Sequence, residues 1–304
     1  MFSSDIRAYG LRVNCNLCGS PPDRHELRFE RDGHEIDRCE ACGLLFRREL
    51  PSREELGEIY SESYWRRPDE DTGGQGYADY LGEEEVHRAN ARKRLRALSQ
   101  HVSGGRLLDV GCAAGFFLDE AVRVGWRGEG VELSAAMAAH ARDNLGLEVA
   151  EELFQDSEPE AGAFDCVTMW DYVEHSLDPS ADLAKAREAL RPGGLVAIST
   201  GDAGSLVARL SGKRWHLLTP RHHNFFFTRS TLRAMLVEHG FEPLTVRHPA
   251  ALYTVGYATH KLRTMRPGSR ILQALARWGE SSRAGRFTIP LNLWDIVTIT
   301  ARRS

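Results

Sequence analysis

Apolar and polar positions change period repeatedly along this chain, and the changes mark out alternating strands and helices. Leu107 to Val110 is an apolar run broken only by Asp109. A turn carrying Gly111 and Gly115 follows, and Phe116 to Val124 then has the pattern of a buried helix. Gly125 is placed to stop that helix, and Gly128 to Leu133 reads as the next strand. Ser134 is expected to cap a helix through Leu145, Asp178-Pro179 to open another, and Ser230 a third that ends at Gly240. Ile296 to Thr300 alternates as a closing strand. Upstream, Glu83 to Gln100 is helical with Val86, Ala89, Leu95 and Leu98 on one side. Pro51 to Tyr60 holds a capping box, Ser52 with Glu55. Glu26–Phe29 and Glu35–Arg38 are short strand-like segments, and Ser61 to Gly76 is a polar, glycine-rich loop. Strands alternating with helices predict an α/β, doubly wound sheet.

The first strand, glycine turn and helix form the beginning of a nucleotide-binding unit, and its details select the cofactor. The turn is Gly-x-x-x-Gly and lacks the middle glycine that lets backbone approach a pyrophosphate. Asp109 would also repel phosphates from the turn's N–H groups and the helix N-terminus. Glu132 ends the second strand, about twenty residues past the turn, where an acid can bind both ribose hydroxyls. A cofactor with a ribose and a cationic amino group but no phosphate fits both acids. S-adenosylmethionine (SAM) meets that description and NAD does not.

Phe164 to Pro179 and Leu190-Arg-Pro-Gly-Gly-Leu-Val-Ala-Ile-Ser-Thr200 extend the match. With the turn and Glu132, they resemble the fourth and fifth strands of class I SAM-dependent methyltransferases, over roughly Arg94 to Ser304. The resemblance implies a Rossmann-like, seven-stranded doubly wound sheet closed by an antiparallel strand at Ile296–Thr300. It places Asp109, Gly111, Cys112 and Gly115 around the methionine part of SAM, and Glu132 with Leu133 at the ribose. Trp170 and Asp171 fall near the methionine or acceptor end.

Composition adds a second unit. With 304 residues, 42% apolar and 27% charged, the chain can hold one good-sized core and a small module. Cys15-x-x-Cys18 and Cys39-x-x-Cys42 are two knuckles, each followed by glycine, the spacing of a four-thiolate structural zinc ribbon. Such a site leaves no open position for substrate. The expected organisation is a ribbon at 1–50, a helical linker or lid at 51–100, and a methyltransferase domain at 101–304 with insertions near 201–228 and 250–290. The N-terminus has no apolar signal region and no run approaches a membrane span, so cytoplasmic residence is expected. The second insertion, with Arg247 to Arg286 holding eight Lys/Arg against Glu280, is read either as a solvated basic helix pair or as a substrate lid.

Three groups compete for the base that takes the acceptor's proton. Arg221-His-His-Asn-Phe-Phe-Phe-Thr228 resembles the His-x-x-x-Phe-Ser/Thr segment of small-molecule methyltransferases, which implies His223 as base, with His222 where a glutamate is usual. Asp171-x-x-Glu174-His175 is similar to a motif of quinone-precursor O-methyltransferases that can hold a divalent cation. Tyr64-Trp65, Tyr77 and Tyr80 would shape the pocket. The expected activity is methyl transfer to an oxygen or carbon of a small molecule: a sugar, glycan precursor or specialised metabolite. The alternative is an RNA base methyltransferase gripping RNA with its ribbon, against which the net charge of -4 argues.

Overall fold

The N-terminal knuckles flank a hairpin. In the computed structural model, which describes residues 13–60, 65, 80–259, 268–281, 285 and 287–304, strands β1 (His25–Arg31) and β2 (His34–Cys39) pair antiparallel, and β3 (Leu45–Arg47) adds beside β2. Helix α1 (Arg53–Ile59) starts at Ser52 with the expected reciprocal capping box to Glu55. Of the loop expected over Ser61–Gly76, only residue 65 is described; Tyr64 and Tyr77 also lie outside the described residues. Helix α2 (Glu84–Leu98) buries Val86, Ala91, Leu95 and Leu98, the apolar side anticipated, with Ala89 half-buried.

The main sheet is built from β4 (Arg106–Val110), α3 (Phe116–Arg123), β5 (Arg127–Glu132), α4 (Ala135–Leu145), β6 (Glu148–Glu151), β7 (Phe164–Trp170), α5 (Pro179–Ala189) and β8 (Leu190–Gly201). A link then carries α6 (Leu206–Ser211) and β9 (Phe225–Phe226) to α7 (Arg229–Glu238) and β10 (Phe241–Arg247). The hairpin strands β11 (Ala251–Thr254) and β12 (Thr288–Leu291) bracket α8 (Arg270–Ser281), and β13 (Ile296–Arg303) closes the chain. The seven strands lie in the order β10-β13-β8-β7-β4-β5-β6. Neighbours from β8 to β6 are parallel, and β13 runs antiparallel to both β8 and β10. This is the seven-stranded Rossmann-like sheet expected, with the reversed strand where it was placed. The connections from β4 leave in one direction through β5 and β6 and return on the other side at β7, so a crevice opens at the strands' C-terminal ends.

Two starts differ from the sequence reading. Ser134 occupies the cap position of α4, but its hydroxyl makes no cap bond; it accepts instead from Trp65 Nε1 at 3.0 Å. Helix α7 starts after Thr228, not at Ser230, because Thr228 and Thr231 form a reciprocal capping box. The unit boundaries are also interlocked. β9, from the link between β8 and α7, pairs antiparallel with β3 and completes the ribbon's sheet in the order β1-β2-β3-β9. Cys15, Cys39, Leu44 and Phe46 share one buried cluster with Val173, Phe225 and Phe227 of the large unit. Among the described residues, no helix is long and apolar enough to cross a membrane.

Candidate functional site

The crevice holds a cavity of about 480 Å³, and the glycine turn forms one end of it. Gly111 has φ 69, and a Cβ there would stand 2.7 Å from Tyr172 Cδ2, so both backbone shape and space demand glycine. Gly115, with φ 80, starts α3; its missing side chain makes room for Leu147 and Ala141 rather than for a ligand. Cys112 lines the cavity, and a Cβ on Gly130 would meet its sulfur at 2.7 Å. Burial holds the Cys112 thiol well above its ordinary range, which makes it a packed thiol rather than a nucleophile.

Two buried acids face this end. Asp109 accepts a 2.6 Å hydrogen bond from Thr168 Oγ1, and burial pushes its carboxyl up to about 7. Glu132 is oriented by two backbone donors, Ala113 N to Oε2 at 2.9 Å and Ser134 N to Oε1 at 2.7 Å. Burial raises it too, against those two bonds. Each oxygen keeps lone-pair capacity for a further donor, so a vicinal diol can be accepted by a carboxylate already aimed. Leu133 lines the cavity beside it.

The other end is assembled from segments far apart in sequence. Trp170 ends β7 and Asp171 begins the turn that follows. Asp171 has φ 53, takes an ion pair from Arg94 at 2.8 Å and accepts from Ser199 Oγ at 2.9 Å. The Arg94 guanidinium also stands 4.7 Å over the Trp170 ring. Glu174 is buried, its Oε2 has no hydrogen-bond partner among the described residues, and burial followed by the Asp171 charge pushes it up to about 8. His175 donates through Nδ1 to the His222 carbonyl at 2.9 Å, contacts the Tyr60 hydroxyl, and is depressed to about 4 by burial. The His223 ring sits edge-on to it, with centroids 4.6 Å apart. His223 Nδ1 is 2.9 Å from the Leu217 carbonyl oxygen, which places its proton there and the lone pair on Nε2.

His222, His223 and His175 all line the cavity with Trp170 and Asp171, so the residues named from sequence converge. The cation motif is rearranged, however. Asp171 is engaged by Arg94, and the ligand atoms that come within 4.8 Å of one another are those of Glu174, His175 and His223. Arg94, His87, Tyr253 and Tyr257, which carry no motif in the sequence, also line the cavity. Tyr253 and Tyr257 stack at 5.2 Å, and their segment is tied to α2 by Asn90, which donates to the Leu252 carbonyl and accepts from its N–H. That docking sets Leu252, Tyr253 and Tyr257 in the cavity wall.

The four ribbon cysteines carry no disulfide, and their sulfurs lie within 4.8 Å of one another, with Cys15–Cys42 at 3.5 Å and Cys18–Cys39 at 3.6 Å. Zinc–sulfur bonds of about 2.3 Å give a tetrahedron edge of about 3.8 Å, so the quartet fits that ion. A hydrogen bond from Cys42 lowers the Cys15 thiol to about 5 and raises that of Cys42, so the first proton leaves the quartet readily.

A family model described as a methyltransferase domain matches residues 83–246, more than half of the chain. Ubiquinone biosynthesis O-methyltransferase of Nitrosococcus oceani is 35% identical over 115 residues, 35% of this chain and 49% of that protein. The enzyme of the same name from a Caulobacter species is 32% identical over 164 residues, 48% of this chain and 62% of that protein. The chain thus spans about half the length of the curated relatives it matches. Among solved structures, geranyl diphosphate C-methyltransferase of Streptomyces coelicolor, in complex with Mg2+, geranyl diphosphate and S-adenosyl-L-homocysteine, superposes with a TM-score of 0.50 at 19% identity. That likeness covers 84% of this chain and 99% of that one, and concerns the fold.

Proposed function

The chain belongs to the methyltransferase-domain family, and we propose on that premise that it moves a methyl group from SAM to an oxygen or carbon of a small molecule. The observation that carries the reading is one cavity with a buried acid pair, Asp109 and Glu132, at one end and the His175–His223 pair at the other. Two desolvated acids match a ligand that is cationic and carries a diol, and they fit a phosphate-bearing cofactor poorly. SAM, when bound, supplies an electrophilic methyl for in-line displacement.

The chain's own groups then have distinct tasks. Glu132 holds the ribose hydroxyls, Leu133 packs beside them, and Asp109 balances positive charge at the glycine turn. Asp171, locked by Arg94 and Ser199, keeps the end of β7 in place. His223 takes the acceptor's proton on Nε2, its Nδ1 proton anchored on Leu217. Glu174, neutral near pH 7, and His175 orient the acceptor. The Cys15, Cys18, Cys39 and Cys42 quartet holds one structural zinc, and the cytoplasm, being reducing, keeps those thiols available for it. Residues 1–50, 51–100 and 101–304 act as ribbon, lid and catalytic unit.

Sugar, glycan-precursor and specialised-metabolite acceptors remain within this reading, and the ubiquinone relatives support a small molecule over RNA. Methyl-labelled SAM offered with separate pools of phenols, sugar nucleotides and total RNA tests it. Label is expected in a phenol or sugar pool; label in RNA alone would reverse the choice.

A further inference from the structure

Asn224 stands between the ribbon and the acceptor end and touches neither cavity nor metal quartet. It is 1% exposed. Its side-chain amide donates to the carbonyls of His175 at 3.0 Å and Ser176 at 3.1 Å. Its backbone N–H, and that of Phe225, donate to the Glu174 carbonyl at 2.7 and 3.1 Å. Thus every peptide oxygen from Glu174 to Ser176 is held by one short segment that follows directly on His223.

The ribbon holds that segment in turn. Arg47 N donates to the Asn224 carbonyl at 2.8 Å, and β3 continues the pairing onto β9. The Arg47 guanidinium is itself buried and directs Nη1 to Asn224 Oδ1 at 3.4 Å. Arg47 lies five residues past Cys42, on the strand that leaves the second knuckle. The glycine turn, Asp109 and Glu132 make none of these contacts; their partners are Thr168, Ala113 and Ser134.

We propose that Asn224 is a positioning residue through which the ribbon, by way of Arg47, sets the Glu174–His175 loop against His223 without touching the acid pair of the SAM end. The proposal rests on the acceptor-end reading given above. It gives the ribbon a task in an enzyme whose thiolate quartet has no room for substrate: its folding fixes the geometry of the proton-taking end. Buried amides bonded on both sides tolerate little change, because an unpaired carbonyl left inside costs more than the lost bond contributes.

Asn224→Asp keeps the side chain's size and an oxygen for Arg47 while removing both amide donors. In the zinc-loaded full chain, hydrogen exchange across Tyr172–Ser176 is expected to quicken at least about tenfold, the free-energy scale of one lost buried bond. The 15N shifts of the His175 ring, expected to show one Nδ1-protonated tautomer in the parent, are expected to become those of a mixture in the variant. SAM affinity by calorimetry should stay within about twofold, since no contact with the acid pair is altered. Arg47→Met, which keeps the stem and the backbone pairing, should move the same two readouts less far. It carries the test if Asn224→Asp does not fold. Unchanged exchange and tautomer in either folded variant would overturn the proposal. So would loosening that spreads equally to the Gly111–Gly115 turn with a matching loss of SAM affinity. A parent that binds no SAM would sink the methyltransferase reading instead, whatever the loop does.

Discussion

The two ends of the cavity are made in different ways. At the SAM end, Asp109, Gly111, Ala113 and Glu132 come from two adjacent parallel strands and the turn between them, within 24 residues of sequence. At the acceptor end, Tyr60, Arg94, Glu174, His223 and Tyr253 come from five separate segments. The first end follows from local chain geometry: a buried strand, a left-handed turn and a helix leave little freedom in where the acids point. The second exists only once the ribbon, the 201–228 link and the hairpin of the second insertion have docked. Damage to docking should therefore spare the cofactor and disable the acceptor, and the reverse should hold for the strand acids.

Breaking the cysteine quartet should give the largest effect. Structural zinc contributes roughly 10–16 kcal/mol in isolated zinc-finger peptides. Cys39→Ser should abolish zinc binding, from one ion per chain to none by metal analysis, and lower the melting temperature. Because β3 is paired with β9, the acceptor end should loosen with the ribbon. A parent protein with no zinc and the four cysteines oxidised would remove the ribbon from the comparison.

His223→Ala comes next. General base catalysis contributes about 10²–10⁴-fold, so turnover should fall by that factor with SAM affinity nearly intact. If activity instead vanishes with a chelator that leaves the zinc in place, and His223→Ala is mild, a divalent ion held by Glu174 and His175 does the activation.

The same contrast explains what could be read from the sequence. Period and glycine placement predict the alternating strands and helices from β4 to β8, because each depends on neighbours within a few residues, whereas the seven-strand count and the reversed last strand follow only from the family resemblance. His223 and His175 could be named, but not the lock of Asp171 on Arg94, which leaves Asp171 outside the ligand cluster. That pair spans 77 positions, and Arg94 looks like one more surface charge of a helix in the sequence. Asn224 was equally silent: its meaning lies in three carbonyls on another loop. Ser134 was misread because a serine before a helix is usually its cap, whereas a tryptophan from the linker claims the hydroxyl here.

At the SAM end, Glu132→Ala removes the charged acceptor for two hydroxyls. Hydrogen bonds to a charged group contribute roughly 1.5–3 kcal/mol, so calorimetry should show SAM binding weakened about 10- to 150-fold. The packing of the acceptor end should be unchanged, and unaltered SAM affinity would refute the cofactor assignment.

The smallest effect is the pH dependence set by Asp109. Burial raises its carboxyl from the ordinary aspartate range, about 4, to about 7, so the fold favours the neutral acid between those values. Its contribution to stability is therefore complete below about 4 and is lost as pH rises through about 7. A bound cation works the other way, because it favours the carboxylate. SAM should thus bind more tightly as pH rises towards 7, with affinity falling by up to about tenfold per unit below it. Asp109→Asn should flatten that profile, weaken SAM at pH 8 and leave the free protein more stable there. Glu174, raised to about 8, shares the stability trend but sits at the other end. Glu174→Gln should consequently stabilise the free protein at high pH without altering the SAM profile. If Glu174→Gln flattens SAM binding as fully as Asp109→Asn, the two ends titrate as one unit and their separation fails.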